Sequence, residues 1–269
     1  MVRRYFLIIN ALYLITFPAW LVIKAASVGF DLGFSWQPQP DLFVSMEFTI
    51  TNMVLLFTAS AVLFIIGTRL LKKFILNKKD APLLLAMFNF VLAGGLAWDG
   101  IRKYTTFTSP EFRNAVEGII FVSVAWALVL LYLFLQDIFM GSFKFKDHVK
   151  WHTVFIILDA CTVFFFLGWP ALMPLLVSTY MAYFFMAALI IPLCAWQIRA
   201  TYRLVKRTDD KQTKRGLSMI GYSAIFYLLA LGTVAFKKLY FPLDLLLSIS
   251  LLSASVVMYL GFVQPSKKS

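Results

Sequence analysis

Eight apolar runs, each long enough to cross a bilayer and each bounded by charged or turn-forming residues, leave this chain very few ways to fold. About 20 residues of helix cross roughly 30 Å of hydrocarbon. Inside that layer a backbone without water must satisfy its own hydrogen bonds, which selects helices for runs of this length. The runs are Tyr5 to Ile23, Val44 to Gly67, Ala81 to Trp98, Asn114 to Gln136, Trp151 to Leu167, Leu175 to Ile198, Leu217 to Phe236 and Phe241 to Phe262. No polar stretch between them is long enough for an aqueous domain, so residues 1–269 read as one membrane domain. The expected fold is an all-α, polytopic transmembrane helix bundle of eight spans. With 61% hydrophobic and 14% charged residues, the chain could not cover itself with polar surface in water.

Charge sets the orientation. If both termini are cytoplasmic, the internal segments hold 19 of the 25 Lys and Arg and the external ones six, an asymmetry that recurs from loop to loop. The net charge of +12 therefore reflects the topology of a multi-pass protein in the cell (cytoplasmic) membrane, not nucleic-acid binding. An alternative treats Arg3 and Arg4, the first run and the small residues Ala25, Ala26 and Ser27 as a cleaved signal, leaving seven spans. Residues 24–41, with Phe30, Phe34, Trp36, Pro38 and Pro40, are too apolar for a plain linker and are expected to cap the outer face at the interface.

Charged and amide side chains at membrane depth are the candidate functional groups. Asp159 lies near the middle of the fifth run, and Asn52 and Asn89 near the middle of the second and third, so the three are expected at one depth. A second set, Glu47, Asp99, Glu117 and Asp244, lies toward the outer side. Glu47, Thr51 and Thr58 share one helical face by spacing, and Asp244, Ser248 and Ser255 repeat the pattern, which suggests two polar stripes lining an outward-opening pocket. The competing reading pairs the outer acids with Arg102, Lys103, Arg113, Lys237 and Lys238. On the inner side, the basic loop 199–215 holds Arg199, Arg203, Lys206, Arg207, Lys211, Lys214 and Arg215, suited to anionic headgroups or to a docking protein.

Catalytic patterns are not evident. Cys161 and Cys194 fall in apolar runs, and the only histidines, His148 and His152, have helical i, i+4 spacing but no further ligands in view. Glycine-rich phosphate loops, nucleophile elbows and zinc-protease motifs are missing, and so is a mid-membrane lysine for a Schiff base. The expectation is a protein that is not an enzyme, with no metal and no cofactor. Gly94 and Gly95 suggest close helix approach in the third run, and Pro192 a weakened backbone in the sixth.

The stretch Tyr202-Arg203-Leu204-Val205-Lys206-Arg207-Thr208-Asp209-Asp210, then Lys214-Arg215-Gly216-Leu217 and Ile220-Gly221, and finally Tyr259-Leu260-Gly261-Phe262-Val263-Gln264-Pro265, resembles the seven-helix N-terminal sensor regions of prokaryotic histidine kinases and related signalling proteins. The resemblance covers about 65 residues at the C-terminal end and implies a sensor whose last helix leads toward a cytoplasmic output. Only four residues follow Pro265, so it implies a stand-alone receptor-like module acting on a separate cytoplasmic signalling protein. The alternatives from other classes are a transporter or channel with a polar path near Asp159, and a non-catalytic subunit joined to other membrane-complex subunits.

Overall fold

The computed structural model describes residues 34–35, 46–104, 106–107, 110–140, 153–155, 157–158, 161, 175–236 and 242–263. Within them, six helices are α1 (Met46–Asn77), α2 (Asp80–Tyr104), α3 (Pro110–Met140), α4 (Leu175–Arg207), α5 (Lys211–Phe236) and α6 (Pro242–Val263). All six are long and apolar enough to cross a membrane, and they correspond to six of the eight apolar runs. The chain is therefore a multi-pass membrane protein built as a helical bundle. The first run lies outside the described residues; of the fifth, helical residues at 153–155, 157–158 and 161 are described.

Helix ends are set by local chemistry. Lys78 takes the left-handed conformation, φ 53°, and its N–H donates to the Phe74 carbonyl at 2.6 Å, closing α1 with a single reversed turn before Asp80 opens α2. At α5 the Asp210 carboxylate accepts from the Thr213 N–H at 2.7 Å and from the Thr213 hydroxyl, while the Asp210 carbonyl accepts the Lys214 N–H at 3.0 Å. This is an N-cap, satisfying donors that the first turn leaves open. It holds the exposed Asp210 carboxyl below the usual carboxylate range, the Thr213 hydroxyl contributing most.

Sequential helices pack as antiparallel neighbours, α1 on α2 on α3 and α4 on α5 on α6, and α1 also touches α6. The register is readable from individual contacts. Ser60 on α1 donates to the Ala93 carbonyl on α2 at 2.8 Å, and Phe57 packs over Gly100. Phe134 on α3 meets Phe262 on α6 edge to face, with ring centroids 5.5 Å apart, and the Lys73 ammonium of α1 sits 4.7 Å from the Phe262 ring centre. The ends of α1, α3, α4 and α6 thus point to one side, which is also where the short α1–α2 and α4–α5 connections lie. Consequently α3 ends on the side opposite to that on which α4 begins. Near the other side, Phe34–Ser35 pairs antiparallel with Thr106–Phe107, tying the segment after the first run to the α2–α3 connection.

The core is aliphatic and aromatic. Leu56, Ala59, Leu63 and Leu70 of α1 meet Leu85, Ala86 and Phe88 of α2 and Leu130, Leu131, Phe134 and Leu135 of α3. The opposite faces are apolar as well, with Val54, Phe64 and Ile65 of α1, Phe184 and Ile191 of α4, and Ile225 and Leu229 of α5 exposed. Helices apolar on every face belong in lipid.

Two expectations about helix shape change. Residues 199–215 are not a loop, because α4 runs on to Arg207 and α5 begins at Lys211, leaving 208–210 as the whole connection. The basic residues sit on helix ends that project beyond the hydrocarbon, since 33 residues of α4 measure about 50 Å. Of the glycine pair in α2, only Gly95 is close-packed, its side-chain position 3.2 Å from the Ser123 Cβ of α3; Gly94 faces open space. Pro192 is exposed inside an otherwise continuous α4.

Candidate functional site

The polar residues predicted from the sequence are re-sorted by the packing. Asn52 on α1 and Asn89 on α2 are both buried, at 0% and 1% exposure. They do not share a depth. The Ser60–Ala93 and Phe57–Gly100 contacts place Asn52 opposite the outer end of α2, about 14 residues from Asn89, or roughly 20 Å along the helix axis. The error has a physical source: α1 begins at Met46, so Asn52 is only two turns from its outer end. Asn52 instead falls near the level of Asp99, which is 7% exposed, and Ser123 of α3 is buried close by beside Gly95. Glu117 stands on α3 at a similar level; its side chain, like those of Glu47 on α1 and Asp244 on α6, lies outside the described residues. Asp159, His148 and His152 lie outside them altogether.

The two polar stripes separate as well. On α6, Ser248 and Ser255 face inward at 2% exposure each. On α1, Thr51 and Thr58 are exposed, and Thr58 returns its hydroxyl to the Val54 carbonyl at 2.7 Å, the usual way a threonine is tolerated against lipid. Equal spacing therefore produced one inward and one outward stripe.

Among the described residues, a connected set of buried polar groups lies along α4, α5 and α6. Gln197, 0% exposed, donates both amide protons, to the Ile220 carbonyl at 2.5 Å and to the Ser223 hydroxyl at 2.9 Å. Ser223 in turn donates to the Ile220 carbonyl at 2.7 Å. One turn toward the basic side, Thr201 donates back to the Gln197 carbonyl at 2.8 Å, and its Oγ1 lies 2.7 Å from the position a Cβ would take on Gly221. One turn in the other direction, the Tyr227 hydroxyl neighbours Ser255 of α6, and the Tyr227 ring meets Phe88 of α2 edge-on at 6.1 Å. Thr233 and Ser248 are buried further outward on the same two helices. A buried polar track thus follows α5.

Along this track Gln197 Oε1 has no protein hydrogen-bond partner, the Tyr227 and Ser255 hydroxyls have none beyond each other, and Asn89 Oδ1 on α2 has none. Leaving such a group bare in an apolar interior costs about 1–3 kcal/mol. Gln197 Oε1 and the Tyr227–Ser255 pair are therefore buried polar groups of α4, α5 and α6 whose hydrogen-bonding capacity the described residues leave partly unfilled.

Below the track the helices close tightly. A Cβ on Gly216 of α5 would lie 2.7 Å from the Gly261 carbonyl, and one on Gly261 of α6 would lie 2.6 Å from the Gly216 carbonyl. The two backbones touch directly, the close approach that small residues allow between membrane helices. Gln197, Tyr227 and the meaning of these glycines were missed in the sequence. Gln197 sits where an apolar run gives way to Arg199, so it reads as a boundary residue, and Tyr227 reads as one aromatic among many.

The exposed side chains of Arg199, Arg203, Lys206 and Arg207 continue along α4 from Gln197, with Lys211 and Arg215 exposed and Lys214 half-buried on α5. Lys206 lies 4.5 Å over the exposed Tyr202 ring. Comparisons with protein-family models, curated proteins and solved structures return no match for this chain.

Proposed function

We propose that this protein is a sensor-like module of the cytoplasmic membrane, not an enzyme, which takes a ligand between α4, α5 and α6 and signals through its basic side to a cytoplasmic protein. One observation supports this above others. The buried Gln197, which bonds α4 to α5, is two residues from the exposed basic stripe beginning at Arg199, so ligand site and docking surface are built on the same two helices. The likeness of Tyr202 to Pro265 to histidine-kinase sensor regions points the same way. In this reading the fold has eight spans with both termini on the basic, cytoplasmic side. Opposite placement of the end of α3 and the start of α4 supports a return crossing by the fifth run.

Purification from the native membrane in a gentle detergent, followed by mass spectrometry, tests the reading. A stoichiometric soluble regulator is expected, released when Arg199, Arg203 and Arg207 are changed together to Glu. Recovery of other integral membrane subunits in its place would replace the sensor with a complex subunit. A solitary protein that mediates solute flux abolished by Asp159→Asn would replace it with a transporter.

A further inference from the structure

Gln197, Tyr227 and Ser255 also constrain what the ligand can be. We propose that they form a binding site for a small, uncharged, hydrogen-bond-donating amphiphile that arrives through the bilayer, an aliphatic alcohol being the simplest member of the class. The inference rests on the polar track being a ligand site, and not on its coupling to a partner.

The orientation of the Gln197 amide is fixed by its surroundings. Ile220 offers a carbonyl at 2.5 Å, which can only accept, so nitrogen must face it. The same nitrogen serves the Ser223 hydroxyl, whose own proton is committed to Ile220. Gln197 Oε1 is therefore a pure acceptor without a donor, and only a molecule that donates can satisfy it. The neighbouring Tyr227 and Ser255 hydroxyls can each donate or accept and have no protein partner beyond each other.

Charge is excluded by what surrounds these atoms. Cys194, Ser223, Tyr227 and Ser255 are neutral, and the adjoining buried positions are Leu193, Ala224, Ala254 and Met258. None of these buried neighbours carries a charge, and an isolated buried charge is far more costly than a buried neutral dipole. Apolar walls around a few oriented polar atoms suit a molecule with a polar end and a hydrocarbon body. Lipid-facing Tyr222, Ile225 and Leu229 occupy the other face of α5, so the site lies one helix away from the hydrocarbon.

Photolabelling of the full chain in lipid nanodiscs with 3-azioctanol, read by peptide mass spectrometry, tests the proposal. Label is expected on the α4, α5 and α6 segments around Cys194, Tyr227 and Ser255, displaced by n-octanol and not by n-octane. In the double variant Tyr227→Phe, Ser255→Ala this label should fall about tenfold, while label on the lipid-facing segment around Phe184 stays unchanged. Label confined to lipid-facing positions, or interior label displaced equally by octane, overturns the proposal and leaves only water in the track. The octanol-against-octane competition decides this on the unaltered chain, whether or not the variant folds. Interior label without any captured regulator would keep the site and remove the signalling reading; the reverse result would do the opposite.

Discussion

The two three-helix halves of this bundle are assembled by different means. In α1–α3 the helices meet mainly through Leu56, Leu63, Leu70, Leu85, Leu130 and Leu135, with Ser60 to the Ala93 carbonyl as an inter-helix hydrogen bond and buried Asn52, Asn89, Asp99, Ser123 and Gln136 spread along the three helices. In α4–α6 the contact is polar and close, through Gln197, Ser223, Thr201 and Ser255, with two backbones touching at Gly216 and Gly261. Lipid is as apolar as leucine, so a leucine seam gains only packing on association, whereas hydrogen bonds and small residues fix a geometry. The first half reads as scaffold and the second as the part with a specified shape.

Substitutions at the glycines should expose this difference most strongly. Gly216→Leu should lower stability by about 3 kcal/mol, because the new side chain meets a carbonyl that cannot rotate away. Gly94→Leu in the other half should be nearly silent in the same thermal melts in detergent, since nothing lies within 4 Å of its Cβ position. Equal losses would mean that the halves are not built differently.

Amides should behave likewise on a smaller scale. Gln197→Leu breaks two inter-helix bonds and should cost about 1–2 kcal/mol, whereas Asn89→Leu loses one bond within its own helix, to the Leu85 carbonyl, and should be close to neutral. Chemical denaturation in mixed micelles would measure both. A larger loss at Asn89 would mean that its amide also holds two helices together, as Ser60 does at Ala93.

The two connections provide the finest comparison. Lys78→Gly should stabilise the α1–α2 turn by up to about 1 kcal/mol, because a left-handed residue without a Cβ carries no penalty. At the α4–α5 turn the effect depends on pH. The Asp210 carboxyl is depressed by the Thr213 hydrogen bonds, so its contribution is present above the unfolded pKa and fades as pH falls through the lower folded value. Melting curves of the parent and Asp210→Asn should therefore differ at neutral pH and converge in acid. A constant difference across that range would dissociate the cap from stability.

Most of the architecture was legible because a span is written in hydropathy. Helix ends were less so: charges at Arg69 and Arg199 end the hydrocarbon crossing, but α1 and α4 continue another two turns or more into the headgroup layer. Candidate site residues were half legible. Spacing identified Ser248 and Ser255 as one face, yet the same spacing at Thr51 and Thr58 named a face turned to lipid, because periodicity defines a stripe without saying which way it points. Asn52 and Asn89 stood out as amides in apolar runs, but their depths depend on where each helix starts. Gln197 matters through the Ile220 carbonyl 23 positions away, a pairing that only the packed hairpin creates.

The three-residue connection between α4 and α5 has a consequence for how the protein is made. A helix bearing Gln197 and Thr201, or Ser223 and Tyr227, is a poor solitary passenger for the insertion machinery, which releases segments into lipid according to how well lipid solvates them. With Thr208, Asp209 and Asp210 as the only residues between them, neither helix can travel far without the other. They are expected to leave the translocon as a hairpin, the Gln197 amide already bonded to Ile220, and to offer α6 a preformed surface on which Gly261 can seat.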